Sequence, residues 1–281
     1  MTSKAVKLAI VAVLLVAAYV AGVFSYPIFS PPTKPELEDP IWARVKERGK
    51  IIVGSSPDWP PYEFYDEQGR WAGFEVELME MVAKRLNLTV EWREMGFETI
   101  IPEIRDMTID LGVSGFGITR ERLDVVQYTV PNSVTMSQIV MLKSRRDELN
   151  ITKIHSLEEL NKLGITVGVQ VGTTEHDELS KKAPDCMKVF DDYVLALQAL
   201  KAGEIDAVYA ESPQVAWWQL QAEKAGEEPL VVIYSGRPYW LIAWVANKKA
   251  DILVEKINGA LADLIEEGIL DQLKAKWKIP G

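Results

Sequence analysis

Short apolar, β-branched runs alternate along this chain with stretches whose apolar residues recur three and four positions apart. Strand-type runs lie at Lys50–Gly54, Leu88–Trp92, Asp110–Ser114, Ile165–Val169, Met187–Phe190, Ile205–Tyr209 and Leu230–Tyr234. Val76, Met79, Val82, Ala83 and Leu86 form one helical stripe, and Ile252, Leu253, Ile257, Leu261, Leu264 and Ile265 form another. A period of 3.6 residues puts such positions on one face. The punctuation agrees. Ser156 with Glu159 has the spacing of a capping box. Ser212-Pro213 reads as an N-cap followed by a first-turn proline, and Gly203 stands where a helix should stop. Strands alternating with helices predict an α/β fold with mostly parallel sheets covered on both faces.

The alternation pauses over residues 129–142, where Tyr128-Thr-Val-Pro-Asn-Ser leads into an extended run, and it restarts at Ile151. That pause predicts a crossing between two lobes. The N-terminus is different again. Lys4 and Lys7 precede Leu8–Phe24, seventeen residues without a charge. The run is long for a signal core and short of the roughly 20 residues a membrane span needs. Basic residues ahead of it direct the remainder outward. Residues 1–24 are therefore read as an export signal or membrane anchor. Residues 25–40, with five prolines, are read as an extended spacer.

Composition narrows the function. The chain has 281 residues, 48% hydrophobic and 26% charged, which suits one large domain or two ordinary ones. Its formal charge of −10 argues against nucleic acid as a partner. Cys186 is the only cysteine, which removes intrachain disulfides, multi-cysteine metal sites and a lipid-modified cysteine after the apolar run. His155 and His176 are the only histidines and lack ligand spacing. No metal and no cofactor is expected.

Three segments end a strand in small or hydroxyl residues and then begin a helix. Ligands in open α/β sheets gather at such ends, and helix N-termini favour anions. In the first segment, Ser114, Gly115 and Gly117 let backbone approach a ligand, and Thr119 can cap the helix. Arg122 follows in the first turn, against the helix dipole. It reads either as the partner of a ligand carboxylate or as a surface residue paired with Glu121 or Asp124. The second, Val167-Gly-Val-Gln-Val-Gly-Thr-Thr174, brings Gln170, Thr173 and Thr174 to an anion nest or to an ordinary turn. It is not a phosphate-binding P-loop. In the third, Glu211 at a strand end either holds an ammonium or favours a helix N-terminus. A guanidinium, donors and a carboxylate together make a site for a zwitterion.

Several motifs occur in order: Gly54-Ser-Ser-Pro-Asp-Trp-Pro-Pro-Tyr-Glu63, Gly73-Phe-Glu-Val-Glu-Leu, Ser114-Gly-Phe-Gly-Ile-Thr-x-x-Arg122, Gly172-Thr-Thr, Ala202-Gly-Glu-Ile-Asp-Ala and Asn258-x-x-Leu-x-x-Leu-x-x-x-Gly268. From Ile41 to Pro280 the chain resembles the polar amino acid ABC transporter substrate-binding proteins, the type II periplasmic binding proteins. The resemblance implies two lobes joined by a two-stranded hinge, with residues 41–135 and 240–281 in one and 137–237 in the other. It implies a monomer that captures a small amino-acid-like zwitterion outside the cytoplasm and delivers it to an ABC permease. Arg122 would clamp the ligand carboxylate, with donors from Thr174. Glu211 would hold the ammonium. Trp59 and Phe97 would stack on the ligand from opposite sides.

Two positions depart from the pattern. The family usually carries Ser or Thr at Gly117, and Asp at Glu211. The longer acid moves its charge by about 1.5 Å, which suits a ligand other than a standard α-amino acid. Ser56 is counted among the ligand-binding residues, but binders of cationic side chains often carry an acid there, so its absence weakens that reading. Gln170 and Glu175 flank the side-chain region. Two alternatives stay open: a cyclohexadienyl or arogenate dehydratase-like enzyme using Glu211 as general acid, and a ligand-sensing module.

Overall fold

The computed structural model describes residues 39–236 and 239–279. The expected export segment lies outside the described residues, and no described helix is long and apolar enough to cross a membrane. The last two residues of the proline-rich stretch already belong to the fold. Pro40 opens the helix Pro40–Arg48 and Asp39 caps it, with Oδ1 accepting from the Ile41 and Trp42 amides, both at 2.9 Å. Its Oδ2 accepts from the Ile252 and Leu253 amides at 2.9 and 3.0 Å, at the start of the helix Asp251–Glu266. One carboxylate thus satisfies free N–H groups of two helices.

Two five-stranded sheets form the body. The first runs Thr89–Glu94, Lys50–Ser55, Leu111–Gly112, Val245–Asn247, Val126–Tyr128. The second runs Met187–Phe190, Val167–Gln170, Ala207–Glu211, Ser137–Leu142, Leu230–Ser235. In each, one strand opposes the other four: Val245–Asn247 in the first and Ser137–Leu142 in the second. Both reversed strands directly follow a crossing between the sheets. Helices cover the sheets, as the burial of strands such as Val167–Gln170 on both faces requires.

The crossings pair with each other. Ser133–Thr135 runs antiparallel to Trp240–Ile242, with Val134 opposite Leu241. This is a two-lobed α/β fold with a two-stranded hinge. All seven expected strands form, although Asp110–Ser114 contracts to Leu111–Gly112. The two stripes become the helices Phe74–Arg85 and Asp251–Glu266. The capping box at Ser156 opens a 3-10 turn, Leu157–Glu159, that leads into the helix Leu160–Leu163. The Ser212-Pro213 expectation needs correction: the helix is Ser212–Ala225, so Glu211 is its N-cap and Ser212 its first residue. The register of Glu211 at the end of Ala207–Glu211 sets that start.

Candidate functional site

A small cavity lies where the strand ends of the two sheets face each other. Trp59, Phe97, Ser114, Gly115, Gly117 and Arg122 reach it from the first sheet's segments. Gln170, Thr173, Thr174 and Glu211 reach it from the second's. Ser56 does not line it. The chain turns at Pro57, so Asp58 reaches the cavity while Ser56 stays on an adjoining groove, its amide donating to Ser114 Oγ at 3.1 Å.

Thr119 caps the helix Arg120–Val125, accepting from the Arg122 amide at 3.2 Å. Arg122 turns inward rather than pairing with Glu121 or Asp124. Its Nη1 donates to the Gly117 carbonyl and its Nη2 to the Gly172 carbonyl, both at 3.0 Å. The second bond spans the two lobes. The guanidinium also lies 5.4 Å from the ring centres of both Phe97 and Phe116, which stack on each other at 4.7 Å. Backbone and π faces hold the cation, and no described acid pairs with it.

Glu211 sits at a helix N-cap, yet its side chain makes no capping bond. Among the described residues nothing donates to its carboxylate, which is buried. Burial pushes its carboxyl well above the usual carboxylate range, the charge of Glu175 adds to this, and Arg122 opposes it. The reading of Glu211 as a helix-dipole residue therefore lacks its expected hydrogen bond. Glu175 differs: Oε1 accepts from Ser137 Oγ at 2.5 Å and Oε2 from Thr174 Oγ1 at 2.9 Å. Burial raises its carboxyl too, and those hydroxyls partly offset the effect.

Trp59 stacks on Tyr62, ring centres 4.0 Å apart. Gly115 makes room for it. A Cβ on Gly115 would sit 2.3 Å from the indole, and its φ of +59° favours glycine in any case. Thr173 caps the helix Thr174–Lys182, accepting from the His176 amide at 3.2 Å and donating to the Gln170 carbonyl at 2.8 Å. Gln170 Nε2 donates to the Asp191 carbonyl at 3.3 Å.

Two lining residues had no local signal. Asp58 Oδ2 accepts from the Tyr193 amide at 3.0 Å, and Gln214 Nε2 donates to the Asp58 carbonyl at 2.8 Å. Both bonds bridge the lobes, and Tyr193 reaches the cavity only through that closure. Burial raises the Asp58 carboxyl, opposed by Ser56 and the Tyr193 amide. Among the described residues lining the cavity, Arg122 is the single basic side chain, against Asp58, Glu175 and Glu211.

The model of the bacterial extracellular solute-binding proteins, family 3, matches residues 51–279. The chain belongs to this family. The solute-binding protein is 25% identical over 237 residues to an arginine-binding periplasmic protein of Mannheimia haemolytica, covering 83% of this chain and 93% of that one. A solved mutant of ArgBP from T. maritima superposes with a TM-score of 0.76 at 33% identity, covering 84% of this chain and 98% of that one. The ancestral amino acid-binding protein AncCDT-1, a precursor of cyclohexadienyl dehydratase, superposes with a TM-score of 0.74 at 28% identity, covering 84% and 98%. The arginine-binding relatives include the periplasmic protein of Mannheimia haemolytica and an extracellular one of Bacillus subtilis.

Proposed function

We propose that this solute-binding protein captures an amino acid with a cationic side chain by closing its two lobes and delivers it to an ABC importer. One observation carries the reading. A guanidinium and a carboxylate, Arg122 and Glu211, face one buried cavity, and neither has an ionic partner among the described residues. Buried charges are stable only when paired, so each selects the opposite charge on a ligand. The ligand carboxylate lies on Arg122 with donors from Thr174, the ammonium lies on Glu211, and Trp59 and Phe97 flank the ligand. Among the described lining residues, Asp58 and Glu175 add carboxyl groups without a second base, which favours a further cation over a neutral side chain. The arginine-binding relatives agree with that choice.

Residues 41–135 with 240–281 act as one rigid lobe and 137–237 as the other. Ligand contacts on both lobes give the closed state its higher affinity, and that difference shifts the population. The closed monomer is what the permease recognises. Residues 1–24 export the chain and can tether it, with the proline-rich segment as spacer. A mature N-terminus between Ser25 and Thr33, read by mass spectrometry, would exclude the tether.

Calorimetric titration with the standard amino acids, ornithine, opines and small amines tests the ligand class. Binding of L-arginine, L-lysine or ornithine, with neutral and acidic amino acids weaker by at least about tenfold, is the expected result. Preference for an acidic amino acid overturns it. The likeness to AncCDT-1 and the raised Glu211 carboxyl favour one alternative, a dehydratase. An aromatic product formed from a cyclohexadienyl acid would reveal it; the binding reading expects none.

A further inference from the structure

Beneath the cavity lies a buried carboxylate that does not itself line it. Glu75, in the first turn of Phe74–Arg85, is fully buried and accepts three hydrogen bonds. Its Oε2 accepts from the Gly115 amide at 2.9 Å. Its Oε1 accepts from Asn132 Nδ2 at 2.6 Å and from Trp244 Nε1 at 2.9 Å. Gly115 is the residue against which Trp59 lies. Asn132 and Trp244 stand on the two separate crossings between the lobes, each beside the paired hinge strands. The crossings are themselves tied at this level, through Thr129 N to the Trp244 carbonyl at 3.0 Å and Asn132 N to the Ile242 carbonyl at 2.9 Å.

The same crossing reaches the Arg122 loop. Ile118 N donates to the Leu241 carbonyl at 3.0 Å, and Ala243 N donates to the Phe116 carbonyl at 3.1 Å. The cavity floor and the hinge therefore share one polar framework, and Glu75 is its junction. We propose that Glu75 is a positioning residue that couples the Gly115 floor of the cavity to both hinge crossings, so that a change in hinge geometry changes the floor. The proposal rests on the cavity as the ligand site only for its effect on affinity.

Glu63 completes the junction. Its Oε1 accepts from Ser114 Oγ at 3.2 Å, and its Oε2 has no donor to accept from. Burial, then the charges of Glu75 and Asp58, push its carboxyl well above the usual range. Burial raises the Glu75 carboxyl as well, and its bonds from Gly115, Asn132 and Trp244 oppose that effect. A carboxylate accepts from all these donors at once. An amide in its place offers one accepting atom and turns an N–H toward a donor, whichever way it flips.

Amide hydrogen exchange with nitrogen-resolved NMR on the ligand-free full chain tests the coupling in Glu75→Gln and Trp244→Phe. The second variant removes the hinge donor and keeps a smaller aromatic ring in the core. Both are expected to speed exchange of the Gly115 amide about tenfold or more, the scale of one buried hydrogen bond lost. Amides of Val167–Gln170 are expected to keep wild-type rates. Titration with L-arginine is expected to weaken by a similar factor in both variants. A Gly115 amide that exchanges at the wild-type rate in Trp244→Phe overturns the coupling. So does faster exchange spread evenly over the whole first sheet, which would mark ordinary destabilisation. If Glu75→Gln does not fold, Trp244→Phe alone decides. A wild-type protein indifferent to arginine counts against the ligand assignment only, because the exchange measurement needs no ligand.

Discussion

At the scale of single residues, the chemistry turns on how burial treats Glu211. A ligand ammonium favours its ionised form, whereas the empty cavity favours the neutral one. Binding should therefore expel a proton. Affinity should rise with pH above the ordinary carboxylate range, until Glu211 ionises in the free protein as well. Calorimetry in two buffers of different ionisation heat measures the proton directly. Glu211→Gln should abolish its release and weaken binding by about 2–5 kcal/mol. A proton release unchanged in that variant would place the titration elsewhere. Gly117 offers a second test. A Cβ there meets nothing closer than Thr174 Cγ2 and Trp240 Cβ, both at 3.7 Å, so the family's usual serine fits. Gly117→Ser adds a hydroxyl beside Arg122 and should tighten carboxylate binding about three- to tenfold, roughly one hydrogen bond. Weaker binding by calorimetry would mean that the glycine makes room for the ligand itself. Arg122, Thr174 and Glu211 were legible beforehand because each stands where a strand gives way to a helix. Asp58 and Tyr193 were not, because only the closure of two distant segments brings them together. Ser56 was misplaced because the turn at Pro57 re-aims the chain, a geometric event with no compositional mark.

At the scale of elements, the strands rich in Val and Ile were readable, because alternation and β-branching report burial in a sheet. The short pairings Asp58–Trp59, Glu63–Tyr65 and Trp71–Ala72 were not. They are set by prolines and a glycine turn, and their residues are mixed in polarity. Val245–Asn247 hid inside one apolar run that serves first as crossing and then as strand. Asp39 also escaped notice, since one of its two helices begins more than two hundred positions later. Its replacement makes a sharp prediction. Asp39→Ala leaves four amides at two helix starts without acceptors. It should lower stability by about 1–3 kcal/mol, read from the urea midpoint, with ligand affinity of the folded protein unchanged. A midpoint equal to wild type would mean that water replaces the carboxylate without loss.

At the scale of the whole molecule, the buried acids set the pH response. Glu63, Glu75, Glu175 and Glu211 all have carboxyls raised by burial. A raised folded value means that the folded state holds the proton more tightly than the unfolded chain does. The stability this contributes is complete below the unfolded value of about 4.3 and is lost as pH rises through the folded values. The ligand-free protein should therefore melt at a higher temperature near pH 5 than near pH 8. A cationic ligand should narrow that gap by pairing with Glu211. Scanning calorimetry across this range checks the sign, and a melting temperature that climbs steadily toward pH 8 would contradict it. The cavity holds Arg122 without an ionic partner among the described residues, and two paired crossings join the lobes that wall it.

Titration calorimetry of Arg122→Ala beside the wild type, with the tightest ligand of the amino acid series, reaches the main proposition most directly. Loss of the only basic side chain that faces the cavity among the described residues should weaken binding by on the order of 3–5 kcal/mol, a factor of at least about 100. Wild-type affinity in that variant would show that the ligand carboxylate does not rest on Arg122, and the zwitterion clamp would have to be abandoned.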